Sequence, residues 1–514
     1  MQKSVNTALQ TIDEGRVSPQ LHAAALGTSM RRPRVTPGGR AHILEERREL
    51  VNTINVTSRM RVGIALLAVL SLVVLAGCGS SSSSSSSSAA APAATGTSSS
   101  GGTSTAAASA STDTSSCGPK PGVKATGSPI NIGTIDTHQP GTDFTDGPNY
   151  ITAYFNCVND NGGVNGHPLK LFVQLDQTQP AQITAAAHKL IQSDHVVAID
   201  GVFDLLECTL DAAYWKQLGI YEMDAGISPE CWSTPNSAAV NMGPRYSSDG
   251  AVQYAINTVK AKKIVFVQSN VPGTGYIAAG PAALAKASNV PITELTENVP
   301  ITDANSVALK LVDEAGSDGS VILNFTPPEA LVILQAAQKL GVEDRVKSWG
   351  CSTPCDTDFL AKSLGPKWNH KLFVNAEAVD ADDHSGPEMQ LYKAILAKYG
   401  QNVAGGIGSF SQFGFLLAKF LVQALDKVKP PYTIASVNKA IVGIKDIKSE
   451  MLCQPWVYGH LALHIPNNAD YTVTPDNGKM ITAQGCTAIS AADPQIAQYR
   501  KVATAGGVNY PSSQ

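Results

Sequence analysis

From Pro129 onward, apolar residues alternate between two periods. "PINIGTID" (129–136) is a short apolar run that predicts a buried strand. "NYITAYFNCVNDNGG" (149–163) spaces its apolar residues for one helical face and closes on glycines. The step then repeats: strand "PLKLFVQLD" (168–176), helix "PAQITAAAHKLIQS" (180–193), strand "HVVAID" (195–200), helix "CTLDAAYWKQLG" (208–219) and strand "IYEMDAG" (220–226). A second series begins after "AAVNMGPR" (238–245). It predicts helix 247–260, strand "KIVFVQS" (263–269), helix 276–288, a strand at 291–298 and helix 304–316. Strand "SVILNF" (320–325), helix "PEALVILQAAQKLG" (328–341) and strand "VKSW" (346–349) complete it. Strands alternating with helices of this length predict parallel sheets covered on both faces. Two such series predict an α/β chain of two doubly wound parallel-sheet lobes. Open sheets of this kind bind ligands beyond the carboxyl ends of their strands, so the loops after each strand are the place to look.

A different pattern precedes these series. "VGIALLAVLSLVVLAG" (62–77) is short for a membrane span, which needs about 20 apolar residues. Arg59 and Arg61 precede it and Cys78 follows "LAG", so residues 60–77 resemble a bacterial lipoprotein signal peptide with Cys78 as the acylated residue. That places the mature chain at the cell membrane, lipid-anchored on the extracytoplasmic face. Residues 1–59 lack apolar periodicity and are expected to be an untranslated or disordered leader ahead of a start at Met60. Ser80 to Ser116 is almost entirely Ser, Ala, Thr and Gly, a composition that does not bury enough surface to fold. Residues 78–128 are therefore expected to form a flexible tether with a reach of about 40 Å.

The roughly 385 residues after Ser128 exceed one ordinary core, in keeping with two lobes. A net charge of −4 with 16% charged residues gives no basis for nucleic acid as a partner. Besides Cys78, eight cysteines remain, an even number that suggests disulfides in an exported chain; the count allows 105 pairings. "CSTPC" is a short loop, which makes Cys351–Cys355 the easiest pair to defend; against a metal or redox site there, its spacing is x3 rather than the redox x2 and no zinc-ligand partner pair lies nearby. The histidines are scattered, and no metal or cofactor is expected. No H-E-x-x-H, G-x-S-x-G or G-x-x-x-x-G-K-[ST] occurs, which argues against an extracellular enzyme. "GGIGSF" (405–410) follows no predicted strand, so it is a weak phosphate-loop candidate. The acids of "VDADDHSGPE" (379–388) read as a solvated loop.

"NDNGGVNGHPLKLFVQLD" (159–176), the Pro180 helix with Ala185, Lys189 and Leu190, and "TPPEALVILQAAQKLG" (326–341) together resemble the branched-chain amino acid-binding proteins, the type I solute-binding proteins of ABC importers. The resemblance covers most of 129–480. It implies two lobes joined by three crossings: lobe 1 from 129–243 plus 376–450, lobe 2 from 244–375 plus 451–490, and a C-terminal tail from 491 to 514. It also implies a monomer that closes on a small solute and hands it to permease and ATPase subunits. A receptor subunit of the same fold that senses its ligand is the alternative.

In that family, hydroxyls and backbone N–H groups of lobe 1 hold a ligand carboxylate, and aromatic walls with an acidic group in lobe 2 meet the ammonium. The corresponding loops here are "GVFDLLEC" (201–208) and "MDAGISPECW" (223–232), giving Asp204, Asp224, Ala225 and Gly226. In lobe 2 they give Thr274, Tyr276, Thr326 and Ser352, with Trp349 close by. Asp204 stands where the family has serine and Gly226 where it has threonine, so the amino-acid clamp is not reproduced residue by residue. An amide, a cationic compound or a short carboxylic acid are alternative solutes. Asp204 serves equally well as a helix cap, and Thr326 reads as the N-cap of the "PPEAL" helix. The lobe assignment places Cys208 and Cys231 in cleft-side loops and pairs them; Cys453–Cys486 and Cys117–Cys157 follow by elimination.

Overall fold

A computed structural model describes residues 113–505, apart from 380, 381, 383, 460–462, 466 and 467. The signal segment, Cys78, the leader and most of the tether lie outside the described residues. The first sheet contains β1 (Ile130–Gln139), β2 (Thr142–Asp143), β3 (Leu169–Asp176), β4 (Ala198–Val202), β5 (Glu222–Asp224) and β6 (Ser237–Ala239). Its parallel strands run in the order β3-β1-β4-β5-β6, while β2 folds back antiparallel on the end of β1. The second contains β7 (Lys263–Ser269), β8 (Ile292–Glu297), β9 (Gly319–Asn324), β10 (Ser348–Cys351), β11 (Leu372–Ala376), β12 (Ala469–Asp476) and β13 (Lys479–Ala488). Its parallel part, β8-β7-β9-β10-β11, has the same winding order.

The second sheet is mixed rather than purely parallel, because β12 pairs antiparallel with β11 and β13 with β12. β12 and β13 follow one another through a tight turn at Asn477 and Gly478, without the helix that a parallel crossover requires.

Local sequence explains the covering layers. Helix Pro327–Leu340 opens on two prolines and ends at Gly341, whose left-handed φ of 66° suits a residue without Cβ. Helix Ser409–Leu425 has buried residues around most of its circumference, as befits a helix enclosed by other elements. Its Phe415 meets Tyr150 and Tyr154 of helix Asp146–Asp160 edge to face, with centroids 6.1 and 5.4 Å apart.

The chain passes between the lobes three times: after β6, after β11 and before β12. On the first passage Gly243 has φ 85°, and a Cβ there would lie 2.1 Å from the Trp232 ring. That site admits glycine for both reasons. Met451, Leu452, Trp456 and Tyr458 pack into the first-lobe core, so that core continues past residue 450 before the chain reaches β12.

Two further boundaries differ from expectation. Residues 113–128, assigned to the tether, are docked on the first lobe: Cys117 is disulfide-bonded to Cys157, and the N–H groups of Lys120, Ala125 and Gly127 donate to carbonyls of Asn161, Asn159 and Gly166. Cysteine and these extended backbone donors supply anchorage that the serine run lacks. The segment assigned as a tail contains helix Pro494–Ala505, whose Ile496 and Tyr499 are buried against Trp232 and Tyr246. Three further disulfides join Cys208 to Cys231, Cys351 to Cys355 and Cys453 to Cys486.

Candidate functional site

The shared winding order creates a switch point in each sheet, between β1 and β4 and between β7 and β9. The loops after these strands face each other across a cleft. Apolar side chains dominate it. Phe144, Phe203, Phe410 and Phe413 line the cleft from the first lobe, and Ile277 and Phe325 from the second. Phe410 stands edge-on to Phe144 at 5.2 Å and to Phe203 at 6.2 Å, leaving ring faces and edges for an apolar body.

Of the eight ligand positions expected from sequence, Ala225, Gly226, Thr274 and Thr326 line this cavity. The other four have different structural placements. Asp204 is buried, receives the Thr137 hydroxyl at 2.9 Å, and accepts the N–H groups of Leu206 and Glu207 at 2.7 Å each. It therefore satisfies the free donors at the start of helix Glu207–Leu218, and its neighbour Phe203 turns into the cleft. Asp224 accepts from Ser237 Oγ at 2.7 Å behind the cavity wall. Burial raises its carboxyl above the ordinary range, against that hydrogen bond. Ser352 is fully buried and donates to Asn324 Oδ1 at 2.7 Å, so it orients a lining residue from behind. Tyr276 crosses between lobes, its hydroxyl donating to the Ile227 carbonyl.

Thr326 makes a second crossing contact, donating to the Gly141 carbonyl at 3.2 Å. It occupies the N-cap of helix Pro327–Leu340, as expected, although its side chain makes no cap bond to that helix. Thr274 donates to Val271 O at 2.8 Å and fixes its own loop.

Among the described residues that line the cavity, Glu377 is the one ionisable side chain. It lies just beyond β11, on the second passage, and accepts N–H groups of Met242 and Gly243 on the first. Burial pushes its carboxyl up to about 7, although these N–H groups and the Thr353 hydroxyl pull the other way.

The sequence reading missed the phenylalanines and Glu377. Phe203 lay inside a loop already singled out, and Phe410 inside "GGIGSF". A search for a polar clamp passed over both.

Among the described residues, two buried clusters have donor atoms close enough for a metal: Cys208, Asp224 and Cys231, and Glu207, Cys208 and Glu222. Both rely on Cys208, whose sulfur is committed to a disulfide, so neither offers a thiolate.

The family model for periplasmic binding proteins matches residues 129–479. The chain belongs to this family. Such periplasmic binding proteins are extracytoplasmic, take small solutes and work with ABC transporter permeases. Among the described residues, no helix is long and apolar enough to cross a membrane. An amino acid binding protein of Pseudomonas aeruginosa is 29% identical over 214 residues, 40% of this chain and 55% of that protein. This binding protein thus spans about half the length of that relative.

Solved structures share the fold at low identity. The fatty acid ABC transporter substrate-binding protein from Thermomonospora curvata superposes with TM-score 0.62 at 16% identity, covering 73% of this chain and 97% of that one. A branched-chain amino acid ABC transporter protein from Thermus thermophilus, with bound valine, gives 0.60 at 15%, covering 72% and 98%. A solute-binding protein of R. palustris in complex with 4-hydroxybenzoate gives 0.56 at 16%, covering 70% and 96%.

Proposed function

We propose that this chain is the solute-binding component of an ABC importer, held at the extracytoplasmic membrane face by acylated Cys78. It captures a small solute with an aromatic or branched apolar body and presents it to permease and ATPase subunits as a monomer. The observation that carries this reading is the cleft itself: two switch points face each other across a cavity walled by Phe144, Phe203, Phe410 and Phe413. The ligands named for the similar structures, valine, 4-hydroxybenzoate and fatty acids, all have apolar bodies.

In this mechanism the lobes rest open, and the solute packs first against one wall. Closure then forms the Tyr276–Ile227 and Thr326–Gly141 hydrogen bonds across the cleft. The ligand makes the closed state dominant through its higher affinity for it. A permease that recognises the closed form then imports only loaded protein.

The test is a thermal-shift screen of apolar-bodied solutes on the full-length protein, followed by small-angle scattering with the best binder. The radius of gyration is expected to shrink on binding, and Phe203→Ala or Phe410→Ala to weaken affinity about tenfold or more. A binder that leaves the radius unchanged and keeps full affinity in both variants would place the site elsewhere.

A further inference from the structure

The cleft has a second chamber beside the one walled by Phe144 and Phe203. Phe410 and Pro354 line both. The same loops supply the two from neighbouring positions. Phe144 lines the first chamber and Asp143 and Thr145 the second; Thr326 lines the first and Pro327 and Pro328 the second. The end of β2 and the start of helix Ser409–Leu425 form one side, and the start of helix Pro327–Leu340 with Phe359 forms the other, so this chamber also lies between the lobes. Its second-lobe wall is rigid and apolar. Pro327, Pro328 and Pro354 present rings and carry no N–H, and Phe359, 37% exposed, adds an aromatic surface. The polar groups opposite already have partners. Asp143 accepts the N–H and hydroxyl of Thr145 at 2.9 and 2.7 Å, and Asp146 accepts the Gly405 N–H at 2.9 Å. Thr357 and Ser411 donate to the carbonyls of Gly405 and Gly406 at 3.2 and 2.8 Å. Among the described residues that line this chamber there is no lysine, arginine or histidine.

We infer that the solute is elongated: its apolar body fills the first chamber, and an unbranched alkyl extension runs past Phe410 and Pro354 into the second. This deepens the solute-binding reading and rests on it. The rings of Phe410 and Pro354 are the surface that the two chambers have in common, so a chain that follows them stays in contact with the protein throughout. Walls of proline and phenylalanine reward each methylene that leaves water. A hydroxyl or charge on the tail would lose its hydration there and find the nearby polar groups already committed. An apolar surface of this kind, open between two lobes, is what an extension of the ligand would cover. Phe410 is then the joint of the site: it stands edge-on to Phe144 and Phe203 in the first chamber and also lines the second.

The experiment varies chain length with the end group held fixed. Full-length protein is titrated calorimetrically with 2-amino acids, carboxylic acids and primary amides whose unbranched chains have four, six, eight or ten carbons. A fully buried methylene is worth about fourfold in affinity. In whichever series binds, affinity is expected to climb at least about tenfold from six carbons to ten. Ala404 is exposed and lines the second chamber alone, so Ala404→Trp fills that chamber from its rim. The ratio of ten-carbon to four-carbon affinity, taken within each protein, is expected to collapse toward one in this variant. Phe359→Ser, which removes an exposed part of the wall, is expected to lower the same ratio and serves as the second variant should the first fold poorly. Short members that bind while longer ones gain nothing would overturn the inference and leave the solute-binding reading intact. A climb of undiminished size in both variants would also overturn it, because the tail would then lie elsewhere. If no chain of any length or end group binds, the apolar-body reading fails, and this inference falls with it.

Discussion

The two sheets wind identically and differ inside. In the first, buried carboxyls occupy the strands: Asp136 on β1, Asp176 on β3, Asp200 on β4, and Glu222 and Asp224 on β5. In the second, β9 and β10 hold Val321, Ile322, Leu323 and Trp349, and their buried polar side chains include Ser320 and Ser348, which hydrogen-bond to each other at 2.8 Å. Burial raises Asp136, Asp200 and Glu222 well above the carboxylate range, and neither carboxyl oxygen of Asp200 has a hydrogen-bond partner. Glu207 and Asp176 are also pushed up, mainly by burial, and Asp211 rises to about 6. Winding order thus fixes where a site lies but leaves the chemistry of the layer beneath it open. The strands of the first sheet carry five such acids, whereas those of the second carry Asp470 on β12, also raised by burial, within a mostly hydrocarbon layer.

The largest effect expected from this difference is pH dependence. Each of these groups is an acid whose folded pKa exceeds its unfolded value of about 4. Its stabilising contribution is complete below that value and is lost as pH rises through the folded one. For Asp211 and Glu377, at about 6 and about 7, the loss spans the weakly acidic to neutral range, and the more strongly raised groups extend it upward. Each group costs up to about 1.4 kcal/mol per pH unit within its window. Calorimetry between pH 5 and pH 9 should show Tm falling with pH, by more than about 10 °C overall. A flat or rising Tm would break the comparison. Glu222→Gln, which removes one such carboxyl, should reduce the slope.

Next in size are the cross-links. Cys117–Cys157 of the first lobe closes 40 residues, whereas Cys351–Cys355 of the second closes 4. The loop-entropy relation gives about 4 kcal/mol for the first and about 2 kcal/mol for the second. Paired Cys→Ser variants in chemical denaturation should rank in that order; equal losses would mean that strain or residual unfolded structure outweighs loop length.

The smallest effect sharpens the contrast. Ser320→Ala leaves the Ser348 hydroxyl without its partner and should cost about 1 kcal/mol, while replacing both serines should restore much of it. Neither change should alter the pH slope, because no ionisable group is involved. A steeper slope in either variant would show that the lobes titrate together.

Much of the fold was legible in the sequence. The apolar block of Lys263–Ser269 matches β7 end to end, and Ala304–Ala315 forms the helix that its spacing predicts. Burial on both faces of a parallel strand writes itself as a continuous apolar run. The antiparallel pair β12–β13 was not read, since its alternation is broken by shifts in register near Asp470 and Thr472.

The site was legible only as a set of loops. Strand order places "GVFDLLEC" and "MDAGISPECW" at the cleft, but side-chain direction within a loop depends on local hydrogen bonds. Asp204 turns away because two N–H groups need an acceptor, which leaves Phe203 to face the cavity. Glu377 belongs to a passage between lobes, and periodicity carries no signal there.

The docking of residues 113–128 has a mechanical consequence. The chain enters the body through the Cys117–Cys157 cross-link, at helix Asp146–Asp160 of the first lobe. Tension arriving along the preceding residues is borne by that covalent bond and by the helix behind it. None of the three passages between lobes lies in its path. A pull applied to the chain ahead of Cys117 would therefore do no work on the hinge, because its load ends in the first lobe.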